Sequence, residues 1–177
     1  SDLNQLDNAT GTGYRECFSS AAAMVAAFYK KVQTDDEYNA IRIKYGDTTS
    51  VDAQVQALES LGLNAKFIKN ADRDIIEMEI EMGRPVIVGW LDKGPIDHPT
   101  CNSASCGHYS VISGYRGKNS PDPEWIMQDP RGLPDMKNGG HSNPHLGRNV
   151  RVRQAEFDAR WQPEGRNTGW AILVDDD

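Results

Sequence analysis

Three residues of this 177-residue chain have the types and the order that nucleophilic amide chemistry needs: Cys17, His108 and Asp129. In such a set a thiolate attacks a carbonyl carbon, an imidazole manages the protons, and a carboxylate orients the imidazole. Cys17 stands where a loop containing Gly11 and Gly13 gives way to a run rich in helix formers. The partial positive charge of a helix N-terminus stabilises a thiolate there. The same position also suits a buried structural cysteine, since free Cys is among the most buried residue types. His108 opens an alternating segment that runs to Tyr115, and Asp129 closes the segment from Trp125, just ahead of Pro130. Neighbouring antiparallel strands would bring the start of one to the end of the next. Taken singly, an imidazole on such a strand is ordinary in a core or on a surface, and an Asp before Pro is commonly a turn residue.

The elements that must position these groups follow from hydrophobic period and caps. After a polar loop of about fifteen residues, Glu16 to about Val32 reads as a helix with Cys17, Ala21, Met24, Val25 and Phe28 on one stripe. Thr34 followed by Asp35, Asp36 and Glu37 opens a second helix that ends near Gly46. Ser50 caps a third, with Val51, Val55, Leu58 and Leu61 on one face and Gly62 at its end. The period then changes. Ala65 to Lys69 reads as a strand, Asp72 to Met82 as a helix closed by Gly83, and Pro85 to Leu91 as a continuous apolar strand. His108 to Tyr115 and Trp125 to Gln128 are two more strands, joined through a turn region from Gly117 to Pro123. Gln154 to Trp161 is a short helix and Gly169 to Val174 a last strand. Helices first and strands later predict an α+β fold, a helical half packed on a mostly antiparallel sheet, as one domain over residues 1–177.

Charge narrows the partners. A net charge of −7 without a Lys/Arg cluster argues against nucleic acid and anionic membrane. The longest apolar run, Ala21 to Tyr29, is nine residues, about half of what crosses a bilayer.

Read in order, the segments resemble the papain-like cysteine peptidases that remove double-glycine leaders from bacteriocins, together with their stand-alone relatives. The segments that carry the likeness include Gln5-Leu6-Asp7-Asn8, Cys17 through Met24, Leu58 to Leu63 and Gly83 to Val88. It continues through Gly107 to Tyr115, Gln128 to Gly132, Glu156-Phe157 and Trp161. The resemblance implies a papain-like fold with Cys17 as nucleophile, His108 as general base and Asp129 as orienting carboxylate, and it implies no cofactor or metal. The family's oxyanion-hole Gln lies six residues before the nucleophile, where this chain has Gly11. Its Gln-x-Asp string matches Gln5-Leu6-Asp7 instead, so the donor role passes to Gln5, with Asn8 as substitute. The Glu16-Cys17-Phe18-Ser19-Ser20 surround looks most like members carried by bacteriophages, and this implies a cell-wall stem peptide or cross-bridge as substrate, as in a phage lysin. Leader processing, deamidation, acyl transfer and a silent papain-like binding module are the alternatives.

Cys101 and Cys106 lie in a loop before His108. With one nucleophile needing to stay free, the remaining pair predicts a disulfide and an extracytoplasmic, secreted or virion-borne site of action. Zinc held by Cys101, Cys106 and His108, with His98 as a fourth ligand, is the metal alternative, and two free thiols the cytosolic one. His141 and His145 fall in a Gly/Asn/Pro-rich loop and read as solvated. An acidic domain adheres weakly to anionic wall polymers, so it is expected to be part of a longer protein or a virion assembly.

Overall fold

The computed structural model describes residues 17–100 and 107–177. Its helical half consists of α1 (Cys17–Phe28), α2 (Asp35–Arg42) and α3 (Val51–Ser60). The caps read from the sequence are formed: Thr34 accepts from the Glu37 N–H and Ser50 from the Ala53 N–H. Glu37 in turn reaches back to the Gln33 N–H at 2.9 Å.

Helix α1 departs from the expected one-sided stripe. Every residue from Phe18 to Ala26 is buried, whereas Phe28 is 52% exposed. The cause is the run of alanines: with so little bulk, α2, α3 and the sheet close around the helix on all sides. The helix also stops short of Val32, because Lys30 turns left-handed at φ 62° and the N–H groups of Lys30 and Lys31 close on the Ala27 and Ala26 carbonyls. On α3 the buried face is Ala53, Gln54, Ala57 and Leu58, so the stripe is rotated from the expected valines, which pack only partly against the core.

The rest of the chain builds β1 (Asn64–Ala71), α4 (Arg73–Glu81), β2 (Val86–Trp90), β3 (His108–Arg116), β4 (Glu124–Gln128), β5 (Leu133–Pro134), β6 (His141–Ser142), β7 (Val150–Arg153), α5 (Gln154–Trp161) and β8 (Gly169–Asp175). Six strands form one antiparallel sheet in the order β1-β8-β2-β3-β4-β7, and β5 with β6 forms a separate ribbon. This is the α+β architecture expected. Strands β5 and β6 escape a sequence reading because two residues carry no period. Strand β7 has one, with Val150 and Val152 inward and Arg151 and Arg153 outward.

The sheet is covered on both faces. Ile87, Tyr109, Val111, Ile172 and Val174 pack towards α1, while Val86, Val88, Ile112, Met127 and Ala171 pack with Ile76, Phe157 and Trp161 of α4 and α5. All five residues of β2 are therefore buried, which explains its unbroken apolar run in an antiparallel sheet. Gly89 is needed as its fourth residue, since a Cβ there would meet the Tyr109 ring at 2.7 Å. Phe18 stacks flat on that ring, with centroids 3.7 Å apart, and so ties the first described turn of α1 to the start of β3.

Candidate active site

The register of the sheet decides what meets what. Val111 pairs with Gln128 across β3 and β4, so Asp129, the next residue, arrives beside Ser110. His108 lies two residues earlier on the same face as Ser110, and Trp90 of β2 pairs with His108 across the strands. Four side chains therefore converge at one end of the sheet. His108 Nε2 lies 2.8 Å from Asp129 Oδ1, Ser110 Oγ donates to Oδ2 at 3.1 Å, and Trp90 Nε1–H donates to Ser110 Oγ at 3.1 Å. The side chains of His108 and Asp129 are 1% and 0% exposed.

The Asp129 main chain is fixed as well. Its N–H donates to the Gly147 carbonyl at 2.7 Å, and a Cβ on Gly147 would collide with the Asp129 carbonyl. The Arg131 N–H adds a bond to Oδ1 at 2.9 Å.

Cys17 sits half-buried at the first described residue of α1. His108 Nδ1 makes no hydrogen bond of strict geometry, yet the Cys17 side chain is close enough to favour the imidazolium by a loose contact and by charge. Burial alone would lower the His108 pKa. The charge and hydrogen bond of Asp129, with the contribution of Cys17, override it and push the value up to about 10. Asp129 moves the other way: burial opposes its charge, but His108 and the hydrogen bonds it receives hold it well below the usual carboxylate range.

The structure thus brings Cys17, His108 and Asp129 together. Gln5 and Asn8 lie outside the described residues, as do Cys101 and Cys106. His98 and His145 are exposed.

His141 is a correction. Its side chain is 4% exposed rather than solvated, and its Nε2 lies 2.9 Å from Asp129 Oδ2. The hairpin that carries it supplies the reason. Asp135 Oδ1 accepts from the Lys137 and Asn138 N–H groups, and Gly139 and Gly140 then turn the chain at φ 87° and 85°. His141 pairs with Pro134 across the ribbon, and the Gly140 N–H donates to the Asp92 carbonyl at 2.6 Å. Asp-x-x-Asn-Gly-Gly between two short segments was the available hairpin signal, and it was masked by its loop-like composition.

Asp92 and Arg160 also escaped the sequence reading. Asp92 Oδ2 is buried and lies 3.6 Å from both His141 Nδ1 and Arg131 Nη1. Arg160 is fully buried and spends its guanidinium on main-chain carbonyls of Leu91, Lys93, Gly94 and Met136. It clamps the Asp92 segment to the His141 hairpin. One donor atom each from Asp92, His108 and His141 lies within 4.8 Å of the other two, a set that could hold a cation. A cavity of about 500 Å³ opens beside Gly107 and Trp90, lined also by Lys69, Trp161 and Trp170.

A half-buried thiol facing a buried imidazole on a carboxylate is the arrangement of a cysteine peptidase, and comparison with known proteins decides the family. The family described as papain-like cysteine protease AvrRpt2 matches residues 4–142. The chain belongs to that family. It is a papain-like cysteine peptidase, and its fold recurs in solved peptidase domains. The peptidase domain of Streptococcus ComA, a bifunctional ABC transporter of a quorum-sensing pathway, superposes with a TM-score of 0.60 at 21% identity, covering 99% of this chain and 97% of that one. A putative C39-like peptidase from Bacillus anthracis gives 0.60 at 14% identity over 99% and 94%. A double glycine motif protease from an AMS/PCAT transporter, solved with its leader peptide, gives 0.52 at 20% identity over 90% and 84%. No curated protein matches the chain. These solved peptidase domains, the double glycine motif protease among them, thus share the fold of this AvrRpt2-family peptidase.

Proposed function

We propose that the peptidase hydrolyses peptide amides with Cys17 as nucleophile, His108 as general base and acid, and Asp129 as the carboxylate that orients the imidazole. The observation that carries this reading is the 2.8 Å contact between His108 Nε2 and Asp129 Oδ1, which leaves Nδ1 on the side of Cys17. An ionised carboxylate only accepts, so Asp129 Oδ1 requires Nε2–H and leaves Nδ1 as the nitrogen that exchanges its proton with the Cys17 thiol. Thiol and imidazole exchange the proton to give thiolate and imidazolium. The thiolate attacks the carbonyl carbon, and the C–N bond breaks as His108 returns the proton to the leaving amine. A water deprotonated at Nδ1 then attacks the thioester and releases the carboxylic acid and the thiol. Gln5, or Asn8 in its place, would donate to the oxyanion together with the Cys17 N–H.

For the substrate, the sequence around Cys17 favours a bacterial cell-wall peptide and an extracytoplasmic or virion-borne site of action. Leader processing is the second reading, because a structural neighbour is a double glycine motif protease bound to its leader peptide. Digestion of purified peptidoglycan and of a Gly-Gly leader peptide, each read by mass spectrometry, separates the two. New amine and carboxylate ends from peptidoglycan support the first; cleavage of the leader alone overturns it. A gain of about one dalton without cleavage would replace hydrolysis of the chain by deamidation.

A further inference from the structure

Asp129 is shared by two imidazoles, and only one of them faces the thiol. We propose that His141 is a positioning residue: its Nε2–H holds the second carboxylate oxygen of Asp129, so that the carboxylate has a single orientation in which to meet His108. This deepens the triad reading and rests on it.

The donor inventory carries the argument. Asp129 takes the His108 Nε2–H and the Arg131 N–H on Oδ1, and the Ser110 hydroxyl and His141 Nε2–H on Oδ2. Four donors occupy the lone pairs that an ionised carboxylate offers. Without His141, Oδ2 would keep one neutral hydroxyl, and the carboxylate would be freer to turn about its Cβ–Cγ bond.

The charge of the donor matters too. A Lys or Arg in this place would neutralise Asp129 and weaken its hold on the His108 imidazolium. A neutral imidazole binds the oxygen without that competition. Burial, first of all, and the nearby charge of His108 hold the His141 pKa below its ordinary value, against the pull of Asp129 and Asp92. The charged and titratable groups around the two rings are Cys17, Asp92, Asp129 and Arg131.

The site is built to hold His141 still. Its neighbour Gly140 donates to the Asp92 main chain, Arg160 ties Lys93 and Gly94 to Met136, and a Cβ on Gly139 would strike the Gly94 backbone.

A cation shared by Asp92, His108 and His141 is the rival account of the same cluster. Three features oppose it: the Arg131 guanidinium already stands 3.6 Å from Asp92 Oδ2, the His108 proton would have to be displaced, and all three side chains are closed off from solvent.

The test compares wild type, His141→Ala and His141→Gln, using iodoacetamide alkylation of Cys17 at neutral pH and the imidazole ¹⁵N–¹H spectrum. A Gln amide can place an N–H near the position of Nε2. Alkylation is expected to slow roughly tenfold in the Ala variant and to recover to within about threefold of wild type in the Gln variant, as expected when a supporting hydrogen bond is lost and restored. The His108 Nε2–H resonance should be lost or shifted in Ala and kept in Gln. An Ala variant within about twofold of wild type, or a Gln variant as slow as Ala, overturns the proposal. If neither variant folds, the wild-type spectrum decides: His141 protonated on Nε2 supports the role, and His141 protonated on Nδ1 overturns it. Zinc that survives dialysis and perturbs both rings would also overturn it, by making His141 a ligand.

Discussion

The two halves of the protein each bury a polar centre, and the two are built on opposite rules. In the helical half, Tyr38 donates to Gln54 Oε1 at 2.6 Å, Gln54 Nε2 donates to Ser19 Oγ and the Thr48 carbonyl, and the Ser19 and Thr48 hydroxyls lie 2.7 Å apart. These groups are neutral, and each polar side-chain atom finds a partner within the set. In the sheet half, a single carboxylate absorbs four donors and leaves the Nδ1 atoms of His108 and His141 without a hydrogen bond of strict geometry, the first facing Cys17 and the second facing Asp92. The first centre is closed and inert. The second is satisfied at its core and reactive at its edge.

Their positions give each a task. Ser19 is two residues from Cys17, so the neutral centre fixes the helix turn that carries the thiol, whereas the charged centre fixes the base that meets it. If that division is right, damage to the charged centre should cost activity, and damage to the neutral one should cost stability.

The largest effect is expected from Cys17→Ala, which should remove hydrolysis of any identified peptide substrate while leaving the melting temperature close to that of wild type. Residual activity at the wild-type rate would rule out the covalent route. Asp129→Ala should lower kcat by roughly 10²-fold, less than loss of the thiol, because the imidazole keeps some productive orientations. An effect as large as that of Cys17→Ala would mean that Asp129 does more than orient.

The charged centre should also make stability depend on pH. The folded His108 pKa, raised from 6.5 to about 10, adds stability that is complete below about 6.5 and is lost as pH climbs through about 10. Asp129, held below its ordinary value, adds stability that is present above about pH 4 and is lost as pH falls through its depressed pKa. Melting temperature measured against pH should therefore fall at the alkaline end in wild type and fall less in Asp129→Ala. Parallel curves from about pH 7 to about pH 10 would contradict the coupling. The smallest effect on chemistry belongs to Gln54→Leu. Leaving Ser19 and Tyr38 short of a partner should cost about 1–3 kcal/mol, a drop on the order of 5 °C, with kcat of the folded protein unchanged. A kcat loss there would blur the distinction between the two centres.

Sequence alone made one centre far more legible than the other. Thr34, Ser50 and Asp72 announce their helices because a cap is a local signal, and α5 runs from Gln154 to Trp161 as its pattern predicts. His108 and Asp129 were legible because an antiparallel register is arithmetic on two neighbouring strands. The burial of α1 on every side was not, since alanine is compatible with either face. His141, Asp92 and Arg160 were hidden for a different reason. Asp92 lies in a loop, His141 on the two-residue strand β6 and Arg160 on α5, and what holds them together is a set of hydrogen bonds to main-chain groups of segments far apart in sequence, such as Arg160 Nη2 to the Gly94 carbonyl at 2.7 Å.

The claim on which the account depends is that His108 activates Cys17 through the nitrogen left bare by Asp129. The rate of iodoacetamide alkylation at Cys17, located by peptide mapping and compared between wild type and His108→Ala at mildly acidic pH, tests it without any assumption about substrate. The account predicts that alkylation slows roughly 10²-fold when the imidazole is removed. Equal rates in the two proteins, with both folded, would contradict it.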